Sequence, residues 1–215
     1  RNFKKFSLHT KVVLTVTPIL LISGTVLLKA TEDISWLGAF FFSTSARTAG
    51  FSTYPLGEFT NAGLFTLTIL MFIGASPGST GGGIKTTTIF TLIKSIYSTA
   101  TNKNCVAYKR RIPESVVFKA FNLFVLAIMV VCFGTFLLSI VETNSTFIQL
   151  LFEVTSAFGT VGLSTGITPD LKDLSKIIIT IIMFIGRLGP MTMASIWLVK
   201  EQSSACYSEE PVIIG

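Results

Sequence analysis

The sequence predicts an all-α membrane protein made of two parallel repeats, each a membrane helix, a re-entrant pore-type hairpin and a second membrane helix. Three observations carry this. Half of the 215 residues are apolar and only 13% are charged, where a soluble domain carries roughly a quarter charged residues. The segment Thr48-Ala49-Gly50-Phe51-Ser52-Thr53 returns 112 residues later as Thr160-Val161-Gly162-Leu163-Ser164-Thr165. At the same spacing Met71-Phe72-Ile73-Gly74 returns as Met183-Phe184-Ile185-Gly186, Phe40 matches Phe152, and Thr80 matches Thr192. Two unrelated motifs in one register mark a duplicated unit.

The elements follow in order. Thr10 to Ala30 reads as a spanning helix with Pro18 inside it, which a membrane helix tolerates. Ile34 to Ser45 is apolar but too short for the ~20 residues a span needs, so it is expected to be a re-entrant half-helix. The loop Thr48–Phe51 follows. Gly63 to Tyr97 is a second membrane segment, interrupted at Gly74 to Gly83. Thr99 to Pro113 is a polar, basic connection. The second unit repeats the order: Ser115 to Ile140 spans, Thr146 to Ala157 is the short helix, Thr160–Leu163 is the loop, and Ser175 to Lys200 spans again. The chain thus divides into a unit over 1–98, a connection over 99–114, a unit over 115–200 and a tail over 201–215.

Charge sets orientation. Lys4, Lys5 and Lys11 stand at the start, and Lys103, Lys109, Arg110 and Arg111 between the units. Glu32, Asp33, Glu58, Glu142, Asp170 and Asp173 gather on the other side. By the positive-inside rule the start, the connection and the tail are cytoplasmic, and both loops open outward. The net charge of +6 is therefore read as topology and not as a nucleic-acid surface. Both units then share one orientation, so the repeats are parallel about an axis along the membrane normal, where a pore can lie. Two loops are too few to surround a dehydrated ion, since a potassium filter uses four. Either two chains combine or two further units lie upstream. The first residue is Arg1 and not Met, and we expect a fragment whose N-terminal part is missing.

The loops carry the chemistry. Gly50 and Gly162 reach φ > 0 without steric cost, which lets successive carbonyls face one way. Thr48 and Thr160 add hydroxyl and carbonyl oxygens. With Ala49, Phe51, Val161 and Leu163 they form two filter-like tetrads. The short helices aim their negative C-terminal ends at the same place, which favours a cation. Glu153 either adds to this or is only an interfacial charge.

Gly74 to Gly83 holds five glycines and Pro77, too much for a helix. Irregular backbone at membrane depth survives only where it is buried in protein or lines a cavity. A phosphate-binding loop is excluded because Ile84 intrudes before Lys85 and the segment is in the membrane. A mobile intramembrane loop is expected. Arg187 stands in the last apolar helix, where a charge needs a partner or a watery cavity. Its repeat equivalent is Ala75, so it shares the depth of the glycine segment. The three cysteines, Cys105, Cys132 and Cys206, share no metal-ligand spacing, Asn144-Ser145-Thr146 is only a short sequon, and His9 is interfacial. Nothing resembles a nucleophile triad, a carboxylate dyad or a metal cluster, so no enzyme is expected.

Taken together, Ser45 to Phe51, Phe72 to Thr88, Phe158 to Gly166, Phe184-Ile185-Gly186-Arg187-Leu188-Gly189-Pro190 and the tail Tyr207 to Pro211 closely resemble the Trk/Ktr/HKT superfamily of potassium transporters. The likeness is nearest to the membrane subunit of bacterial Ktr systems. It implies four membrane–pore–membrane units in a pseudo-fourfold, channel-like pore, of which this chain holds the third and fourth. It implies K+ at Thr48, Ala49, Gly50, Thr160, Val161 and Gly162. It implies gating by Gly78, Ser79, Thr80, Gly81, Gly82 and Gly83 with Lys85 and Arg187. It further implies potassium uptake in a bacterial plasma membrane, often sodium-dependent, a homodimer among membrane lipid, and a cytosolic nucleotide-binding regulatory subunit. A coupled secondary transporter of another cation or small solute is the alternative. That reading requires helix breaks at matching positions in both units, and a long glycine break is legible only in the first.

Overall fold

A computed structural model of the chain describes residues 6–189. The basic residues at 1, 4 and 5, Thr192, Cys206, the end of the last expected helix and the tail lie outside the described residues. Among the described residues, seven α-helices account for nearly all regular structure.

Helix α1 (Leu8–Thr31) is capped by Ser7, whose hydroxyl accepts from the Thr10 amide at 3.2 Å. Its 24 residues extend about 36 Å, enough to cross a hydrocarbon core of about 30 Å. Helix α2 (Trp36–Ser45) has 10 residues and reaches about 15 Å, to mid-membrane. Helix α3 (Asn61–Phe72) stops at the glycine segment, and α4 (Thr86–Ala100) resumes beyond it. In the second unit α5 (Glu114–Val141) crosses with 28 residues. Helix α6 (Phe147–Gly159) is again short, and α7 (Asp173–Leu188) follows.

The duplication seen in the sequence is present in the backbone. Helices α3 and α7 begin at Asn61 and Asp173, and 3-10 turns precede them at Leu56–Glu58 and Thr168–Asp170, every pair in the 112-residue register. In each unit a glutamate just past the first helix joins that helix to the start of the third. The Thr60 amide and hydroxyl donate to Glu32 Oε1 at 3.0 and 2.7 Å. The Ser175 hydroxyl and the Lys172 amide donate to Glu142 Oε1 at 2.7 and 2.8 Å. Those two bonds, that from Ser175 first, hold the Glu142 carboxyl below the usual carboxylate range.

Two apolar clusters form the core. One gathers Leu28, Phe42, Leu67 and Met71 of the first unit with Phe152, Val161 and Leu163 of the second. The other gathers Val131, Leu138, Val154 and Phe158 of the second with Ile84 of the first. Each unit therefore inserts side chains into the other's core. The interface is sealed by Phe72, whose ring centroid lies 6.0 Å from that of Phe158.

One expectation changes. The connection, read from the sequence only as polar and basic, forms a small antiparallel hairpin, β1 (Val106–Ala107) and β2 (Arg110–Arg111), so the chain is not purely α. Its turn residues Tyr108 and Lys109 have φ of 49° and 63°, the sign a two-residue type I′ turn demands at both positions. Of the helix expected over Ser175 to Lys200, α7 is described to Leu188, past which Gly189 adopts φ 87°, and the remainder lies outside the described residues. A glycine with positive φ just past the last turn is a common helix stop.

Candidate functional site

The short helices α2, of 10 residues, and α6, of 13, lead directly into the two loops. In both loops the backbone turns the same way. Thr48 has φ 75° and Gly50 79°, while Thr160 has φ 50° and Gly162 99°. The residues between them do not share that sign, so φ alternates along each tetrad. A strand with uniform φ points successive carbonyls to opposite sides. Alternation of sign brings them round to one. Positive φ is a genuine outlier for a β-branched residue, and two such threonines stand in one register. Strain of this kind collects at functional sites.

The loops touch backbone to backbone. A Cβ placed on Gly50 would collide with the Val161 carbonyl oxygen and lie 3.3 Å from Gly162 Cα. Val161 and Leu163 are buried in the core, whereas Ala49 and Phe51 are exposed. The two tetrads thus match in backbone but not in side-chain surroundings.

The glycine segment lies against both loops. Its neck is closed by a parallel bridge of Ile73 with Ile84, the Ile84 amide donating to Phe72 O at 3.2 Å. A Cβ on Gly81 would sit 2.7 Å from Thr48 Cγ2. The Gly82 amide donates to Thr160 Oγ1 at 2.8 Å, so the segment bonds directly to the second tetrad. The Lys85 ammonium donates to the Gly81 carbonyl and, at 3.4 Å, to Ser79 Oγ. Gly78 has open space around it. Gly186 of α7 packs on the Phe158 carbonyl, the carbonyl that also faces Gly82. The next residue, Arg187, is exposed in the last turn of α7, within electrostatic reach of Lys85. Of the residues singled out in the sequence, Thr48, Gly50, Thr160, Val161, Gly162, Gly81 and Gly82 meet directly, with Lys85 bonded to Gly81, whereas Phe51, Gly78 and Arg187 are exposed.

Two further residues belong here. Arg47, which had no role in the sequence reading beyond its place in a motif, reaches from the first loop to Thr17 O and Gly74 O, each at 3.4 Å. It ties the start of the glycine segment to α1. The signal was available, since an arginine at the end of a short apolar helix is as costly as Arg187. Glu153 is buried, and its carboxylate accepts from the Thr165 amide at 2.8 Å and from the hydroxyls of Ser164, Thr165 and Thr168 at 2.8, 3.0 and 2.9 Å. It orders the strip beyond the second tetrad. Its repeat position in the first unit is Phe41, so the arrangement is not duplicated. Glu153→Ala would leave those four donors without their acceptor. A buried unmet donor costs about 1–3 kcal/mol. The variant should melt lower by several degrees, read by thermal unfolding in detergent against the unsubstituted protein and a Phe41→Ala control. An unchanged melting temperature would mean that the strip holds itself.

The fold, with two helices long and apolar enough to cross a membrane, is that of a membrane protein, and its sequence places it in the cation-transport class. The chain belongs to the TrkH family: that family's sequence profile, described as cation transport protein, matches residues 5–207. It is 37% identical to Ktr system potassium uptake protein B of Vibrio alginolyticus, over 100% of this chain and 50% of that one. It is 37% identical to potassium/sodium uptake protein NtpJ of Enterococcus hirae, over 99% of this chain and 51% of that one. The crystal structure of the potassium transporter TrkH from Vibrio parahaemolyticus superimposes with a TM-score of 0.70 at 20% identity, covering 88% of this chain and 44% of that one. That likeness establishes the fold. The chain spans about half the length of the curated relatives it matches. The family is one of cation transporters.

Proposed function

We propose that this chain supplies two of the four pore loops of a potassium-uptake protein. The observation that carries the reading is the matched pair of tetrads, with φ positive at Thr48 and Gly50 and again at Thr160 and Gly162, meeting backbone to backbone. Thr48, Ala49, Gly50, Thr160, Val161 and Gly162 would offer carbonyl and hydroxyl oxygens in place of an ion's water shell. The segment Gly78 to Gly83 would be the gate, tethered through Gly82 to Thr160 and through Lys85 to Gly81, with Arg187 adding a cation below it. Uptake would be sodium-dependent. The working unit would be a homodimer carrying a cytosolic nucleotide-binding subunit. The names of the relatives support the ion, since they are potassium and potassium/sodium uptake proteins.

The alternative, a coupled secondary transporter, requires breaks at matching positions, and the positions to compare are the ends of α3 and α7. These are out of register. The repeat equivalent of Phe72, where α3 ends, is Phe184, and α7 continues to Leu188.

Reconstitution separates the readings. The full-length parent in liposomes should pass potassium down its gradient, without a second solute. Residues 1–215 alone should pass no potassium-selective flux, because two loops leave a dehydrated ion half coordinated. Strict dependence of the parent on a co-transported solute would favour the alternative.

A further inference from the structure

On the side assigned to the cytoplasm, α4 and α5 part to leave a groove of about 810 Å³. Ile89, Ile93 and Ile96 wall it from α4, and Phe118, Phe121 and Phe124 from α5. Several of these are open to the surroundings, Ile96 at 70% and Phe118 at 66% exposure. At one end the groove meets Lys103 and Arg111. There a second, polar hollow adjoins it, lined by Ser98, Asn102, Lys103 and Asn104. The whole is amphipathic from end to end.

We propose that this groove binds an anionic phospholipid of the cytoplasmic leaflet, its acyl chain along α4 and α5 and its headgroup phosphate at Lys103 and Arg111. Length supports this. The apolar wall of α4 runs from Ile89 to Thr99, about 15 Å of helix, which is half of a hydrocarbon core of about 30 Å. An acyl chain in one leaflet fits that length, with the polar hollow at headgroup level. Charge supports it too. Lys103, Lys109, Arg110 and Arg111 stand in the connection, and Glu114, paired with Arg111 at 2.9 Å, is the carboxylate among the groove's lining. Basic pockets between helices at the cytoplasmic face select anionic headgroups. The cationic end is also held in place. The Tyr108 ring stacks on Phe90 of α4 at 6.4 Å, and its hydroxyl bonds Thr15 of α1 at 3.0 Å. The hairpin is thus docked on the bundle, and Arg111 at its base lines the groove.

The test uses the full-length protein with Phe121→Trp and every other tryptophan replaced by phenylalanine. It is placed in phosphatidylcholine vesicles containing either brominated phosphatidylglycerol or brominated phosphatidylcholine. The ratio of the two quenching constants should favour phosphatidylglycerol by about fivefold, the factor one basic residue near the surface supplies. Adding Lys103→Gln and Arg111→Gln should bring the ratio close to one. A reference tryptophan at Ile19, exposed on α1, should give a ratio close to one with or without those changes. A fivefold preference that survives the double change, or no preference at Phe121, overturns the proposal. Absence of quenching by either lipid at Phe121, repeated with Phe118→Trp, also overturns it. The groove would then be filled by protein, another segment or a second copy.

Discussion

Gly50→Ala in the full-length parent should cut potassium uptake by roughly ten- to hundredfold, and Gly50→Asp should abolish it. At Gly50 the new Cβ meets the Val161 carbonyl oxygen, backbone that cannot swing away as a side-chain end could. One tetrad must shift, and a carbonyl proposed to bind the ion turns with it. A hydrogen bond to a charged group is worth about 1.5–3 kcal/mol, and each ~1.4 kcal/mol is tenfold in rate; losing one ion ligand is expected to matter on that scale. Gly162→Ala should be milder. The atom facing its Cβ is Gly50 Cα at 3.8 Å, an ordinary contact, so the remaining cost is a φ of 99° that side chains rarely adopt. Gly162→Asp adds a carboxylate beside the same carbonyls and should also lose uptake. Rubidium uptake in a potassium-deficient host, at matched membrane expression, reads all four. Wild-type affinity and rate in both aspartate variants would remove the tetrads from the ion path.

The same loops show what a sequence carries and what it does not. Helices α1 and α5 were legible because an apolar run of that length has one use in a membrane, and α2 and α6 because theirs was too short. The conformational pairing of Thr48 with Thr160 was foreshadowed by the repeat, although the sequence argument assigned positive φ to the glycines alone. The threonines follow them because carbonyls can share one side only if the sign alternates. The positive φ past Leu188 was legible in Gly189 followed by Pro190 and was overridden by the apolar run around them. The hairpin at Val106–Arg111 had no such signal: Tyr108 and Lys109 are neither glycine nor asparagine, and docking of the tyrosine ring on Phe90 accompanies their positive φ. Glu153 was left between two readings because its partners, Ser164 to Thr168, lie in the strip beyond the loop. Only the folded hairpin brings them to one carboxylate.

Shortening the glycine segment at its tip should raise flux and weaken dependence on a cytosolic partner. Residues Ser76 to Ser79 form the turn, with the Ser79 amide on Ser76 O at 3.2 Å, and a Cβ added at Gly78 would meet only open space. Deleting the half-buried Pro77 and the exposed Gly78 should draw Gly81 and Gly82 back from Thr48 and Thr160. The contacts at stake are the Gly82–Thr160 bond and the two made by Lys85. At about 1 kcal/mol net each, their loss favours an open path by roughly ten- to hundredfold. Lys85→Met should move flux in the same direction by less, since it spares the Gly82 bond. Arg187 contributes differently. At an effective dielectric of 20, a unit charge about 6 Å from a passing cation repels it by roughly 3 kcal/mol. Arg187→Gln should thus change flux more than Lys94→Gln, whose ammonium lies over the Tyr97 ring on α4. The measurement is rubidium uptake by full-length variants at matched expression, with and without the regulatory subunit. If the deletion leaves flux and partner dependence both unchanged, the glycine segment is a structural break beneath the loops and the barrier lies elsewhere.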